Sequence, residues 1–273
     1  MKDDQLINKK YHILQRKKIF RDPEKFIYTE IATRINQSLE GINFSVKECL
    51  EIGYSTNNIN HYVSSRFKNV DYTTLEFCSD LSKAIPKSIK TYNFDHDNWS
   101  LSEKKFDLII SNFYLHLTNN LGELINNINI SLNKDGFFIA AIPGNNCFRE
   151  LRDTMIFTDL ELYGGAYKRF KETYLVKDIN NILKNSNFEI PVIDFDTLYL
   201  KYSDFKKLLL DVRNLGCSYI LNDKKKKFEK KNYFKKAEEI YWKKFSKNNK
   251  LILQLEIMYF SGWKKNTKTY NPH

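Results

Sequence analysis

Cysteine is scarce and scattered in this chain. Its four cysteines, Cys49, Cys78, Cys147 and Cys217, form no C-x-x-C pair and have no neighbouring histidine cluster. That spacing argues against a structural metal site or a disulfide scaffold, and the four read as small core hydrophobes. Long apolar runs are missing as well. No stretch approaches the ~20 residues that a membrane-spanning helix needs. The opening MKDDQLINKKYHILQRKK is charged and lacks the unbroken apolar core of a signal peptide, so a reducing, cytoplasmic location is expected. Internal repeats are absent, and only the Lys-rich stretch around 224–236 is of low complexity. No stacking motif of the K/R-G-F/Y-G/A-F kind is present, which speaks against nucleic acid as a partner.

The chain has 273 residues, of which 42% are hydrophobic and 15% aromatic. A chain of that size buries one large core without covalent help. The formal net charge is +11. A basic balance attracts polyanions, anionic membrane surfaces and acidic proteins alike, so its sign does not choose among them. The densest block, Lys224 to Lys227, falls in a surface connection.

Helical spacing appears first between Glu24 and Leu39, where Ile27, Ile31, Ile35 and Leu39 stand four apart on one face. Short apolar strands then alternate with amphipathic segments. ECLEI (48–52), NVDY, IKTYNF, FDLIISN and GFFIAAI read as strands, and NINHYVSSRF, LEFCSDLSKAI and LGELINNINISL as helices. Such alternation predicts a doubly wound, mostly parallel α/β sheet with ligand at the carboxyl ends of its central strands. From about Asn146 a long helix runs to Leu162, a Gly-Gly break follows, and a further helix spans Val176 to Lys184. The strands IPVIDFDTLYL and LILQLEIMYFSGW (251–263) close the domain. The expected organisation is an N-terminal helical segment (1–45), a nucleotide-binding core (46–145), and a cap insertion with the closing strands of the same domain (146–273).

The candidate chemistry sits at the strand ends. Glu51-Ile52-Gly53-Tyr54-Ser55-Thr56-Asn57 follows the first strand, and a glycine there allows a tight turn that approaches a ligand. Asp71, read as the end of the second strand, offers a carboxylate to a ribose diol. Asp95 and His96, ending the third, suit an adenine amine, and Ser111 and Asn112 end the fourth. Singly, each is as well explained as a cap or turn residue. Their order on successive strands is the stronger signal.

The block FDLIISNFYLHLTNNLGELINNINISLNKDGFFIAAIPGNNCFRELRD (106–153) resembles the centre shared by the complex I assembly factor 5 group and the malonyl-carrier methyltransferase of biotin synthesis. ELYGG (161–165), DVRNLG (211–216) and MYFSGW (258–263) are similar to the first group in particular, and the resemblance runs from about Ile19 to Trp263. It implies a class I S-adenosylmethionine (SAM)-dependent methyltransferase fold with a seven-stranded sheet and a helical cap. Carried over by position, it implies that Glu51, Gly53, Ser55, Asp71, Asp95, His96 and Asn112 bind SAM, with Asn112 and His116 bordering the methionine end or the acceptor. That group's first motif usually holds three glycines, where this chain has Gly53, Ser55 and Asn57. Changing Ser55 and Asn57 to glycine is then expected to strengthen SAM binding.

His116 is the candidate base because imidazole titrates near neutrality, although a histidine between Leu115 and Leu117 also suits a structural role. Tyr163, Arg169, Tyr202 and Arg213 are candidates for an acceptor cleft, or equally packing and surface residues. Three functions remain open: an assembly factor acting on a peripheral-arm subunit of NADH dehydrogenase, a methyltransferase for an acyl carrier or small molecule, and a non-catalytic binding module. Peripheral membrane association is compatible with each.

Overall fold

A computed structural model describes residues 7–19, 25–93, 104–215 and 229–265. Asp95, His96, Gly216, Cys217 and Lys224 to Lys227 lie outside the described residues. In chain order the first elements are α1 (Lys9–Ile19), α2 (Phe26–Glu40), β1 (Glu48–Ile52), α3 (Asn58–Arg66), β2 (Asp71–Glu76), α4 (Ser79–Ser82), β3 (Lys90–Asn93) and β4 (Phe106–Asn112). Then come α5 (Leu121–Ser131), β5 (Leu132–Pro143), α6 (Arg149–Tyr163), α7 (Val176–Asn185) and β6 (Phe188–Tyr202). The last are α8 (Phe205–Asn214), α9 (Tyr233–Phe245), β7 (Ser246–Lys247) and β8 (Lys250–Lys264). Two compact units result. One comprises Glu24–Ile142, Leu175–Asp194 and Met258–His273, the other Met1–Pro23, Pro143–Tyr174 and Phe195–Ile257.

The sheet has the order β3-β2-β1-β4-β5-β8-β6, with β7 paired to β8. Among the described residues that makes eight strands where seven were expected, the extra one being the two-residue β7. β1 pairs in parallel with β2 and β4, β2 with β3, and β4 with β5. The order turns back between β1 and β4, so the crevice beyond their carboxyl ends is the topological switch point.

The first unit's sequence explains this sheet. Leu50, Ile52, Leu108, Ile109 and Ile110 are all fully buried, the continuous apolar run of a strand covered on both faces. In α2, Ile27, Ile31, Ile35 and Leu39 are buried as their spacing predicts. The Asn120 side chain caps α5, its Oδ1 accepting from Glu123 N at 3.0 Å. MYFSGW is a packing motif. A Cβ on Gly262 would stand 3.1 Å from the Phe188 ring, and the Trp263 ring lies 4.7 Å from Phe137 and 5.5 Å from Phe44.

In the second unit α1 packs on α8 and α6 on α9. ELYGG ends α6: Gly164 closes the helix at φ 74, its N–H donating to Leu160 O at 3.1 Å. Asp159, fully buried on α6, accepts from Arg169 Nε at 2.8 Å and Nη2 at 2.5 Å. Arg169 Nη1 also donates to Glu229 Oε1 at 2.9 Å, and Tyr163 Oη donates to Glu229 Oε2 at 2.8 Å. The guanidinium lies 4.6 Å over the Tyr233 ring, completing a clamp that ties the loop after α6 to the start of α9. Among the described residues, no helix is long and apolar enough to cross a membrane.

Candidate functional site

Gly53 follows β1 directly, at φ 78, and its N–H donates to Leu75 O at 2.9 Å. A Cβ there would lie 2.2 Å from Cγ of Tyr114, so both the left-handed backbone and the space require glycine. Tyr114 reaches that position because Phe113, just past β4, adopts φ 54 while its N–H donates to Ala141 O at 3.0 Å. Positive φ is costly for a bulky residue, and such strain collects at functional turns.

Tyr54, Ser55 and Thr56 are buried. Ser55 has no positive φ, and Asn57 sits at φ -79 as the cap residue of α3. One left-handed residue makes this turn, so backbone conformation gives no reason for glycine at these two positions. Ser55 is bonded at both ends. Its carbonyl accepts from Lys25 Nζ at 2.8 Å, and its Oγ accepts from Asn112 Nδ2 at 2.9 Å. Asn112 ends β4, is fully buried, and also donates from Nδ2 to Tyr28 O at 3.0 Å. Its Oδ1 has no hydrogen-bond partner among the described residues. Beside it, Ser111 Oγ donates to Ile52 O at 2.9 Å, which locks the ends of β1 and β4 together.

Glu51 is fully buried one residue before the end of β1, and its Oε2 accepts from Tyr72 Oη at 3.0 Å. Burial, and then the Glu51 charge, push the Tyr54 phenol up to about 12. The same two causes lead in raising Tyr72 and Cys49. Glu51 is thus a carboxylate held inside the sheet beneath the turn.

Asp71 requires a correction. It opens β2, opposite Glu48 at the start of β1, because Thr73 and Thr74 carry the strand on instead of ending it. Lys104 Nζ lies 3.4 Å from Asp71 Oδ2 and 2.9 Å from Glu48 Oε2, so Asp71 serves an ion cluster at the amino edge of the sheet. The residue that closes β2 is Glu76. Five steps of about 3.3 Å separate it from Asp71, roughly 16 Å along the strand. Ile52 pairs with Leu75, so Glu76 stands level with Gly53. It is buried, and its Oε1 accepts from Cys78 N at 3.1 Å. Sequence reasoning missed it by ending the strand five residues early. The available signal was the β-branched pair Thr73-Thr74, which fits a strand better than a helix start.

His116 lies on a short 3-10 turn, Leu115–Leu117, where a helix was expected. It is half-buried, its ring set edge-on to Phe113 at 5.1 Å. Tyr163 and Arg169 meet in the clamp of the second unit. Tyr202 is buried, its phenol raised by burial and by Asp211, while Arg213 is exposed. Of the expected binding residues, Glu51, Gly53, Ser55 and Asn112 come together at the carboxyl ends of β1 and β4, Asp71 does not, and Asp95 and His96 lie outside the described residues.

The chain is similar to several known proteins. The arginine-hydroxylase NDUFAF5 of Dictyostelium discoideum is 26% identical over 192 residues, which are 70% of this chain and 44% of that protein, so the chain spans less than half of its length. The zebrafish protein of the same name is 23% identical over 261 residues, 92% of this chain and 79% of its own. Malonyl-[acyl-carrier protein] O-methyltransferase 1 of Ilyobacter polytropus is 26% identical over 220 residues, 77% of each. Among solved structures, the YcgJ protein of Bacillus subtilis superposes with a TM-score of 0.57 at 10% identity, covering 87% of this chain and 99% of that one. At that identity the likeness shows the fold alone. Residues 24–191 match the family described as "Methyltransferase domain", and the chain belongs to that family.

Proposed function

We propose that the chain binds SAM at the switch point between β1 and β4, and uses that site to modify a protein subunit during assembly of respiratory complex I. One observation carries the binding half of this reading: Gly53, Glu76 and Asn112 stand at the carboxyl ends of three adjacent parallel strands. The residues present fit the cofactor. Glu76 offers a carboxylate at the end of β2 that could hold a ribose diol, Gly53 keeps the turn free of a side chain, and the Oδ1 of Asn112 is an acceptor without a partner among the described residues. When bound, SAM supplies an electrophilic methyl group on sulfur. The protein's task is then to align donor and acceptor and exclude water. His116, on the turn after β4, is the residue we assign to the acceptor's proton.

The absence of further glycines does not argue for a degenerate site, since Ser55 and Asn57 hold the turn without positive φ. Membership of the methyltransferase family supports SAM as cofactor. The assembly role is supported by similarity to NDUFAF5 over 92% of this chain, and by ELYGG, DVRNLG and MYFSGW. The partner we infer is a peripheral-arm subunit of NADH dehydrogenase. Similarity to the malonyl-[acyl-carrier protein] O-methyltransferase favours an acyl carrier as the second reading. Cys49 and Cys78 are buried free thiols, in keeping with a reducing, cytoplasmic compartment, although the NDUFAF5 relatives are named as mitochondrial.

Two experiments test this. Calorimetric titration of the purified chain with SAM and S-adenosylhomocysteine should show stoichiometric binding of both, and no heat at millimolar ligand overturns the cofactor reading. Deleting the gene in its host should lower assembled NADH dehydrogenase, with a peripheral-arm subunit recovered on affinity capture. Normal assembly together with a new biotin requirement would assign the chain to carrier methylation.

A further inference from the structure

We infer that Ser55 is a positioning residue for the amino-acid end of the bound cofactor: its hydroxyl accepts the second N–H of the Asn112 amide, whose orientation the Tyr28 carbonyl sets, and so holds Oδ1 in place to accept a hydrogen bond from the ligand's ammonium group. This inference rests on the SAM reading given above and concerns how this chain's own residues divide the ligand.

The orientation of the Asn112 amide follows from its partners. Nδ2 lies 3.0 Å from the carbonyl oxygen of Tyr28 and 2.9 Å from Ser55 Oγ. A backbone carbonyl can only accept, so the edge facing Tyr28 must be the NH2 edge. A flipped amide would set two acceptors against each other. The two N–H bonds of Nδ2 are thereby both used, one on Tyr28 and one on Ser55. The acceptor Oδ1 is left on the opposite edge of a planar group, buried and without a hydrogen-bond partner among the described residues. Buried acceptors in native structures are nearly always satisfied, so one that is not needs an explanation. Its location supplies one, because Asn112 ends β4 beside the Gly53 turn.

Ser55 is itself rigid, which is what a positioning residue requires. Its carbonyl is held by Lys25 Nζ at 2.8 Å, and the Lys25 ammonium lies 5.7 Å over the ring of Tyr54. Ser55 is fully buried, with Tyr54 and Thr56 on either side 4% and 5% exposed, so the hydroxyl has little freedom to turn elsewhere. A donor that reaches Asn112 Oδ1 therefore meets a preset acceptor, and a cationic donor gains most from it. SAM and S-adenosylhomocysteine carry such a donor in the ammonium of their amino-acid portion. Methylthioadenosine, which keeps the nucleoside and sulfur but lacks that portion, does not.

The test is the ratio of two affinities, measured by calorimetry on the full chain. For Ser55→Ala, affinity for S-adenosylhomocysteine should fall about five- to tenfold, within the range of one ordinary hydrogen bond, the Asn112–Ser55 bond that the variant removes. Affinity for methylthioadenosine should be unchanged. Ser55→Cys, with a weaker acceptor of similar shape, should fall between Ala and the parent, and it serves as the probe if the alanine variant melts at the assay temperature. An equal loss for both ligands, or no loss for either, overturns the inference while leaving the SAM reading intact. A parent that binds neither ligand overturns the SAM reading, and this inference with it.

Discussion

Gly53→Ala tests the site's construction at its tightest point. The added Cβ would stand 2.2, 2.4 and 2.7 Å from Cγ, Cδ2 and Cβ of Tyr114, closer than carbon atoms approach without something moving. Tyr114 is 1% exposed, and the distances include its own Cβ, so rotating the ring about its side-chain bonds does not clear the clash. Forcing a bulky group into a filled core costs about 1–3 kcal/mol. Placing alanine at φ 78 adds about 1–2 kcal/mol. The expected destabilisation is therefore about 2–5 kcal/mol, a large share of the 5–15 kcal/mol typical of a folded protein. Urea unfolding followed by tryptophan fluorescence measures it. Tyr114→Ala alone should cost about 3–5 kcal/mol for its cavity. In that background, Gly53→Ala should cost only the backbone part, leaving a coupling of about 1–3 kcal/mol. Additive costs, or a single-variant cost below about 0.5 kcal/mol, would show that Tyr114 does not press on the turn and would refute the reasoning.

Other expectations follow from the same physics. Ser55→Gly with Asn57→Gly, expected from the sequence to strengthen SAM binding, should instead give no gain in calorimetry and lower stability by about 1–2 kcal/mol, through extra backbone freedom and a lost hydrogen bond. Arg169→Met should cost about 3–5 kcal/mol in urea unfolding, because it leaves the fully buried Asp159 with the Tyr167 N–H but without the cation that pairs with it. Lys171 is pushed down to about 8 by burial. Its folded pKa lies below its unfolded value, so the unfolded chain binds the extra proton between about pH 8 and 10.5. The penalty for burying the charge is full below pH 8 and relieved as pH rises through that window. Lys171→Met should therefore gain stability over the parent at pH 7, and that advantage should shrink towards pH 10; a pH-independent difference would refute the assignment.

The sequence made the strands legible wherever their apolar runs were unbroken. FDLIISN coincides with β4, and the α2 face was read correctly from Ile27, Ile31, Ile35 and Leu39. β2 was misread because its middle is Tyr-Thr-Thr, polar by composition but β-forming by side-chain branching, and fully buried at both threonines. That single shift put Asp71 and not Glu76 at the end of the strand as read, and the candidate ribose acid with it. α1 falls within the expected N-terminal helical segment (1–45), but its bounds went unread because Lys9–Ile19 carries almost no apolar periodicity and buries His12, Arg16 and Ile19. The backbone of the Gly53 turn was not legible for a different reason. Glycine count is a proxy for positive φ, and only the backbone reveals that Gly53 alone needs it in this turn. Contacts between residues far apart in sequence, such as Ser55 with Asn112 and Lys25, leave no local trace from which they could be foreseen.

The claim that the binding site is built on the carboxyl ends of β1, β2 and β4 is tested most directly by one pair of variants. Titrating SAM calorimetrically into the parent, Glu76→Gln and Asp71→Asn contrasts the two carboxylates at opposite ends of β2. Glu76→Gln should weaken binding by about tenfold or more, the loss of a charged acceptor worth roughly 1.5–3 kcal/mol, while Asp71→Asn should bind as the parent does. The reverse pattern, with Asp71 needed and Glu76 dispensable, would contradict the account.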